Sequence, residues 1–418
     1  MKFIKVHGGN KLNGTVKISG AKNSAVALIP AAILCDEVIK FSNVPNISDM
    51  DVLRDIIKYL GGSFKRKDDG FVYIASNEMV NKEIPQKLAS KLRASYYFMG
   101  ALLGKFKKVE IYFPGGCTIG ARPIDLHLKG FELLGAKISG TKNKIKIEAK
   151  ELIGTNIYLD FASVGATINL MLAAVKAKGT TIIENAAKEP EIVNVANFLN
   201  LMGARISGAG TDIIKIKGVD YLHSCYHDVI PDRIEAATYL MIGAVLSEDL
   251  TIENIIPKHL QALTQKLLEM GVDLKIEEDK IHVTNKNKLK ATRVKTLVYP
   301  GFPTDMQQII ATLMTQAKGE SIIEETIFEN RFLNLYELKK MGAKVRIQGN
   351  KAYIYGPTKL KATSITATDL RAAAGLVFAA LIADGKTVIN NVDYLLRGYE
   401  DVIGKLQKIG AKIELIEI

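Results

Sequence analysis

Six copies of one pattern predict an α/β protein of two domains, with three copies in each half of the 418 residues. Each copy reads as an apolar helix, a β-rich strand, a loop, a second helix stopped by glycine, and a closing strand. Two series of positions carry this reading. The second helices stop at Gly61, Gly135, Gly203, Gly271, Gly342 and Gly410, at intervals of 74, 68, 68, 71 and 68 residues. Glycine just past a helix suits a left-handed cap, and the alternation of Ala343, Val345 and Ile347 after one of them predicts a strand. The first helices start near Lys22, Arg93, Ser163, Arg233, Asp305 and Arg371, separated by 71, 70, 70, 72 and 66 residues.

Each of those starts opens an apolar run: Ala25 to Leu34, Tyr96 to Leu103, Ala166 to Val175, Ala236 to Val245, Met306 to Met314 and Ala372 to Ile382. Being apolar nearly all round, these helices are predicted to be buried. Cys35 falls at the end of the first and is expected in the core. The longest runs fall short of a bilayer span, and Pro30 interrupts the first. No secretory leader is predicted.

Helix starts expose unpaired amides and partial positive charge, so several converging on one space would hold phosphates and carboxylates. The arginines fit that use. Only 11 occur, and Arg93, Arg122, Arg331, Arg371 and Arg397 all stand at loop-to-helix junctions. The lysines read mostly as a solvated face. Residues 113 to 125 add a reactive group, since Gly115, Gly116 and Gly120 surround Cys117, with Arg122 close by. A thiol near a cation can titrate near neutrality and exchange a proton with carbon or attack it. Pro123 suits the first turn of the following helix, which places Ile124, Leu128, Phe131 and Leu134 on one face.

Composition excludes several classes. Hydrophobic content of 48% and charged content of 24% indicate an ordinary globular chain. Three scattered cysteines, Cys35, Cys117 and Cys225, fit a reducing cytoplasm better than a disulfide framework. His223, Cys225 and His227 match no closed zinc pattern, and no metal is predicted. There is no Walker A or Gly-x-Gly-x-x-Gly signature. A net charge of +12 raises nucleic acid as a partner, but no basic run reaches five residues and tryptophan is absent, so small multiply charged anions account for the charge better.

Lys22 with Asn23, the Pro114 to Asp125 loop, Tyr299 to Asp305, Glu329 to Phe332, Asp369 to Arg371 and Arg397 to Glu400 together resemble the enolpyruvyl transferases over essentially the whole chain. Cys117 points to the branch that acts on UDP-N-acetylglucosamine rather than shikimate 3-phosphate. The resemblance implies a two-domain inside-out α/β barrel with buried helices and outer sheets. One domain would span residues 22–230, the other 1–21 with 231–418, with the active site in the cleft between them. It implies transfer of the enolpyruvyl group of phosphoenolpyruvate to the sugar 3-hydroxyl, the first committed step of peptidoglycan synthesis, in the cytoplasm. No cofactor, metal, nucleic acid, membrane or obligate protein partner is implied. Cys117 would be the acid and could also form an adduct with phosphoenolpyruvate, and Asp305 would be the base, although an aspartate there is ordinarily an N-cap. Lys22, Arg122 and Arg397 would bind phosphoenolpyruvate, with Arg331 and Arg371 shaping the field and Asp369 near the reacting carbon. The nucleotide sugar would meet Asn23, Arg93, Arg122, Pro123, Ile124, Asp125, Leu126, Ser163, Val164, Gly165, Asp305 and the Ile327 backbone. The chain departs from the family pattern at Leu396, where an acidic residue is common, and at Ala162 and Val298, where proline is frequent.

Overall fold

The computed structural model describes residues 2–113, 123–141 and 143–417. All six glycine stops are present, each with φ between +88° and +103°. A β-carbon is strained at those angles, so only glycine ends these helices without cost. The first helices of the copies are Lys22–Ala32, Tyr97–Phe106, Val164–Ala174, Arg233–Leu246, Gln307–Met314 and Leu370–Ile382. The second are Ser48–Tyr59, Asp125–Leu133, Pro190–Leu201, Gln261–Glu269, Leu333–Lys340 and Val402–Lys408.

Two boundaries differ from expectation. The first helix ends at Ala32 because its exit tightens into i→i+3 bonds, Leu34 N to Ala31 O at 3.1 Å and Cys35 N to Ala32 O at 3.3 Å. Cys35 is therefore buried in a bend beyond the helix. Pro123 likewise precedes its helix, since Ile124 has a non-helical φ of −110° and the first helical residue is Asp125.

Every copy builds its sheet in the same way. The strand after the first helix pairs antiparallel with one neighbour, and a parallel segment lies on its other side. Ile39–Ser42, for example, runs antiparallel to Val72–Ala75 and parallel to Tyr226–Asp228. Gly385–Asn390 runs antiparallel to Lys2–Gly8 and parallel to Ser364–Thr366, and Leu250–Glu253 takes Gly14–Lys17 as its parallel neighbour. Five four-stranded sheets and one of three strands result among the described residues.

These borrowed strands divide the chain. The middle unit comprises residues 20–113 and 123–230, and its first sheet is completed by its own last strand. The terminal unit comprises residues 2–19 and 231–417, with N-terminal strands sewn into two of its sheets. Each unit has a separate apolar core containing its three first helices. Close approach between those helices needs small residues. A β-carbon on Gly100 would lie 2.2 Å from the Asn169 carbonyl oxygen, and one on Gly375 would lie 2.8 Å from that of Gln308. No helix among the described residues is long and apolar enough to cross a membrane.

Candidate active site

The terminal unit gathers four of the predicted residues from three helix starts. Asp305 lies in the 3₁₀ turn Thr304–Met306 that opens Gln307–Met314, Arg331 precedes Leu333–Lys340, and Asp369 and Arg371 flank the start of Leu370–Ile382. Arg331 Nη2 stands 2.6 Å from Asp305 Oδ1, and Arg371 Nη2 stands 3.1 Å from Asp305 Oδ2. One guanidinium on each oxygen fixes the plane of the carboxylate. Arg331 also reaches Asp369 Oδ1 at 3.4 Å and donates to Thr304 Oγ1 at 3.2 Å. Both arginine side chains are only 3% exposed, whereas that of Asp305 is 27% exposed, so the cluster opens to solvent at its carboxylate. Burial works against the Arg371 charge, but Asp305, Tyr399 and Asp232 together outweigh that effect and raise its pKa.

The N-cap reading of Asp305 is overturned, since it stands inside its turn and the cap positions are held by Pro303 and Met306. Both of its oxygens are occupied by arginines. Asp369 caps instead, accepting from Arg371 N at 2.9 Å and Ala372 N at 3.1 Å.

Glu325 escaped the sequence reading. It is buried, its Oε1 accepts from Thr296 Oγ1 at 2.8 Å and from the Ile327 amide at 2.8 Å, and its Oε2 accepts from Thr304 Oγ1 at 2.9 Å. It thereby braces the segment holding Ile327 and the hydroxyl that supports Arg331. A signal existed. Asn43, Asn185, Asn254 and Asn391 recur at the repeat spacing, all with φ between +54° and +57°, and Glu325 occupies the corresponding place in the fifth copy. Asparagine tolerates that left-handed geometry. Three of them also tie neighbouring strands, with Asn43, Asn185 and Asn254 donating to the carbonyls of Val229, Leu159 and Ile18.

The middle unit holds most of the other predicted residues. Lys22 opens its helix and pairs at 2.9 Å with buried Asp49 in the first turn of Ser48–Tyr59, and Asn23 follows it, half-buried. Arg93 opens the 3₁₀ turn Arg93–Tyr96 with its guanidinium 5.9 Å from the Tyr96 ring centroid. Ser163 caps Val164–Ala174 by accepting from Ala166 N, and Val164 and Gly165 form the first turn. A β-carbon on Gly165 would meet Tyr96 Oη at 2.8 Å. Ile124 and Leu126 are buried while Pro123 and Asp125 are exposed. Arg397, in the terminal unit, ends the short helix Asp393–Leu396 and is half-buried. Cys117 and Arg122 lie outside the described residues.

His127 is a second residue missed. It is buried one residue past Leu126, and burial, reinforced by the charge of Arg93, lowers its pKa to about 3. Asn169 Oδ1 accepts from Gly100 N at 2.8 Å, which turns its Nδ2 toward His127 Nδ1 at 2.9 Å. That arrangement makes Nδ1 the acceptor and places the imidazole proton on Nε2. His227 is similarly held by Asn194 at 2.9 Å, with burial lowering its pKa to about 4. Cys225 is half-buried and its thiol is pushed up to about 11 by burial.

Comparison with known proteins gives one consistent family. A profile for EPSP synthase (3-phosphoshikimate 1-carboxyvinyltransferase) matches residues 6–406. A Bacillus cereus protein named UDP-N-acetylglucosamine 1-carboxyvinyltransferase 2 is 50% identical over 413 residues, covering 99% of this chain and 96% of its own. The Listeria monocytogenes protein of the same name is 53% identical over 408 residues, covering 98% and 96%. Among solved structures, the enolpyruvyl transferase NikO from Streptomyces tendae superposes with a TM-score of 0.90 at 26% identity over 99% of both chains. EPSP synthase from Acinetobacter baumannii shares the fold, with a TM-score of 0.79 at 19% identity over the full length of both chains.

Proposed function

The chain belongs to the EPSP synthase family of enolpyruvyl transferases, and we propose that it transfers the enolpyruvyl group of phosphoenolpyruvate to the 3-hydroxyl of UDP-N-acetylglucosamine, releasing phosphate. This is the committing step of peptidoglycan synthesis and is assigned to the cytoplasm. The observation that carries the reading is Asp305, a partly exposed carboxylate clamped by Arg331 and Arg371 at converging helix starts, in a chain half identical along its length to relatives bearing that activity's name.

The chemistry distributes itself over these residues. Asp305 takes the proton of the sugar hydroxyl as its oxygen attacks the central carbon of phosphoenolpyruvate, while Cys117 protonates the methylene carbon. The tetrahedral ketal then loses a proton and phosphate, restoring the double bond. Lys22, Arg122 and Arg397 bind phosphoenolpyruvate, Arg331 and Arg371 hold the positive field, and Asp369 lies near the reacting carbon. Asn23, Arg93, residues 122–126, Ser163, Val164, Gly165 and Ile327 meet the nucleotide sugar. The Ile327 amide is committed to Glu325, so its carbonyl makes the contact. The two units serve as the two domains, with the first boundary between residues 19 and 20 rather than between 21 and 22. The substrates supply all the reacting groups, so no cofactor is assigned.

Phosphate release from phosphoenolpyruvate tests the reading, with UDP-N-acetylglucosamine or shikimate 3-phosphate as acceptor. Release with the nucleotide sugar alone, lost in Cys117→Ala, is expected. Release with the shikimate ester would reassign the acceptor, and no release with either would end the enzymatic reading.

A further inference from the structure

Arg371 contacts a neutral system as well as Asp305. Thr238, in the helix Arg233–Leu246, has its hydroxyl oxygen 2.8 Å from the Ile234 carbonyl oxygen and 2.9 Å from Tyr399 Oη. A threonine hydroxyl has one proton to give, and a carbonyl can only accept. The proton therefore goes to Ile234, so Thr238 accepts from Tyr399. Tyr399 has then used its own proton and turns only lone pairs and its ring toward other neighbours. It is 2% exposed, and the Arg371 guanidinium carbon lies 5.6 Å from its ring centroid, within cation–π range.

That contact matters because Arg371 is only partly satisfied by charge. Its Nη2 is held by Asp305, but its Nη1 is buried and meets no acceptor at normal hydrogen-bond geometry. Tyr399 is the neutral, electron-rich group set against this buried cation. Tyr399 also stands two residues beyond Arg397, and its amide donates to the Leu395 carbonyl at 3.1 Å. One residue thus closes the turn carrying Arg397 through its backbone and meets Arg371 through its buried ring.

We propose that Tyr399 is a positioning residue, its hydroxyl oriented by Thr238, that holds Arg371 in the pose from which Arg371 fixes the Asp305 carboxylate. The role in turnover rests on the assignment of Asp305 as base, and the experiment separates the two.

Phosphate release and ¹⁵N-arginine NMR would be measured on the whole protein for wild type, Tyr399→Phe, Thr238→Val, Thr238→Ser and the Tyr399→Phe/Thr238→Val double variant. With only 11 arginines, the Arg371 guanidinium signals can be assigned by their loss in Arg371→Lys. Tyr399→Phe and Thr238→Val are each expected to lower kcat by about three- to ten-fold, the worth of one neutral hydrogen bond, with KM for both substrates nearly unchanged. The double variant should be no slower than either single one, and Thr238→Ser should match wild type. In the spectrum, Arg371 should reorient faster in both slow variants and not in Thr238→Ser. Unchanged Arg371 signals, or rate losses that multiply in the double variant, would overturn the proposal. A wild type without turnover would end the enzymatic reading, and the NMR result alone would then decide the positioning role.

Discussion

The two units bury polar side chains near their helix starts in opposite ways. The terminal unit concentrates charge, with two carboxylates and two guanidinium groups in a single connected cluster. The middle unit relies largely on neutral relays, Gly100 to Asn169 to His127 and Ser24 to Asn194 to His227, with Lys22 and Asp49 as its separate ion pair. A charged cluster is already oriented for a reaction in which charge develops, at the cost of desolvating every member. A neutral relay fixes shape and tautomer without a strong field. The same repeated βα unit therefore buries a connected charged cluster in one half and neutral, pH-sensitive relays in the other.

Breaking the charged side should have the largest effect. Arg331→Met removes a guanidinium that serves Asp305, Asp369 and Thr304 together. Losing one partner of a buried ion cluster costs about 3–5 kcal/mol, because the remaining charges stay buried without compensation. Urea unfolding should show that loss, accompanied by loss of phosphate release. A variant as stable as wild type would mean that solvent, rather than Arg331, neutralises Asp305 and Asp369.

On the neutral side the expected loss is smaller. Asn169→Leu keeps the branched shape but leaves His127 Nδ1 unpaired and removes the side-chain acceptor of the Gly100 amide. An orphaned buried acceptor and a second lost hydrogen bond cost about 2–4 kcal/mol together. A loss well below 1 kcal/mol in the same unfolding assay would show that the relay is dispensable and that the contrast between the units is overstated.

The architecture was legible because its signals are backbone requirements. Gly61, Gly135 and their four counterparts are fixed by left-handed angles, and the buried helices by their all-round apolarity. Lys22, Arg93, Ser163, Arg233, Asp305 and Arg371 were found by the same periodicity and do stand at helix starts. Partners were not legible. That Asp305 is held by two arginines, and that Asp369 rather than Asp305 caps a helix, depends on which helix starts meet, a property of packing between copies. Glu325 and His127 were missed because an acidic residue after a strand and a histidine in an amphipathic helix look like ordinary surface positions. The asparagine series that would have exposed Glu325 is visible only when the repeat is aligned beyond its glycines and helix starts.

The smallest expected effect is the pH dependence of the neutral relays, and its sign separates them from the charged cluster. His127 and His227 have folded pKa values of about 3 and about 4, against roughly 6.5 in the unfolded chain. Below pH 6.5 the unfolded state therefore binds protons that the folded state refuses. Stability is fully present above the unfolded value and is lost progressively as pH falls toward the folded values. At pH 5 each histidine should cost about 2 kcal/mol relative to pH 8, because both folded values lie below 5 and only the unfolded state takes up the proton. His127→Gln stays neutral throughout this range, so the urea midpoint of that variant should fall less between pH 8 and pH 5 than that of wild type. An equal fall in both would place the acid sensitivity in the carboxylates, and the middle unit would then no longer differ from the terminal one in what acid does to it.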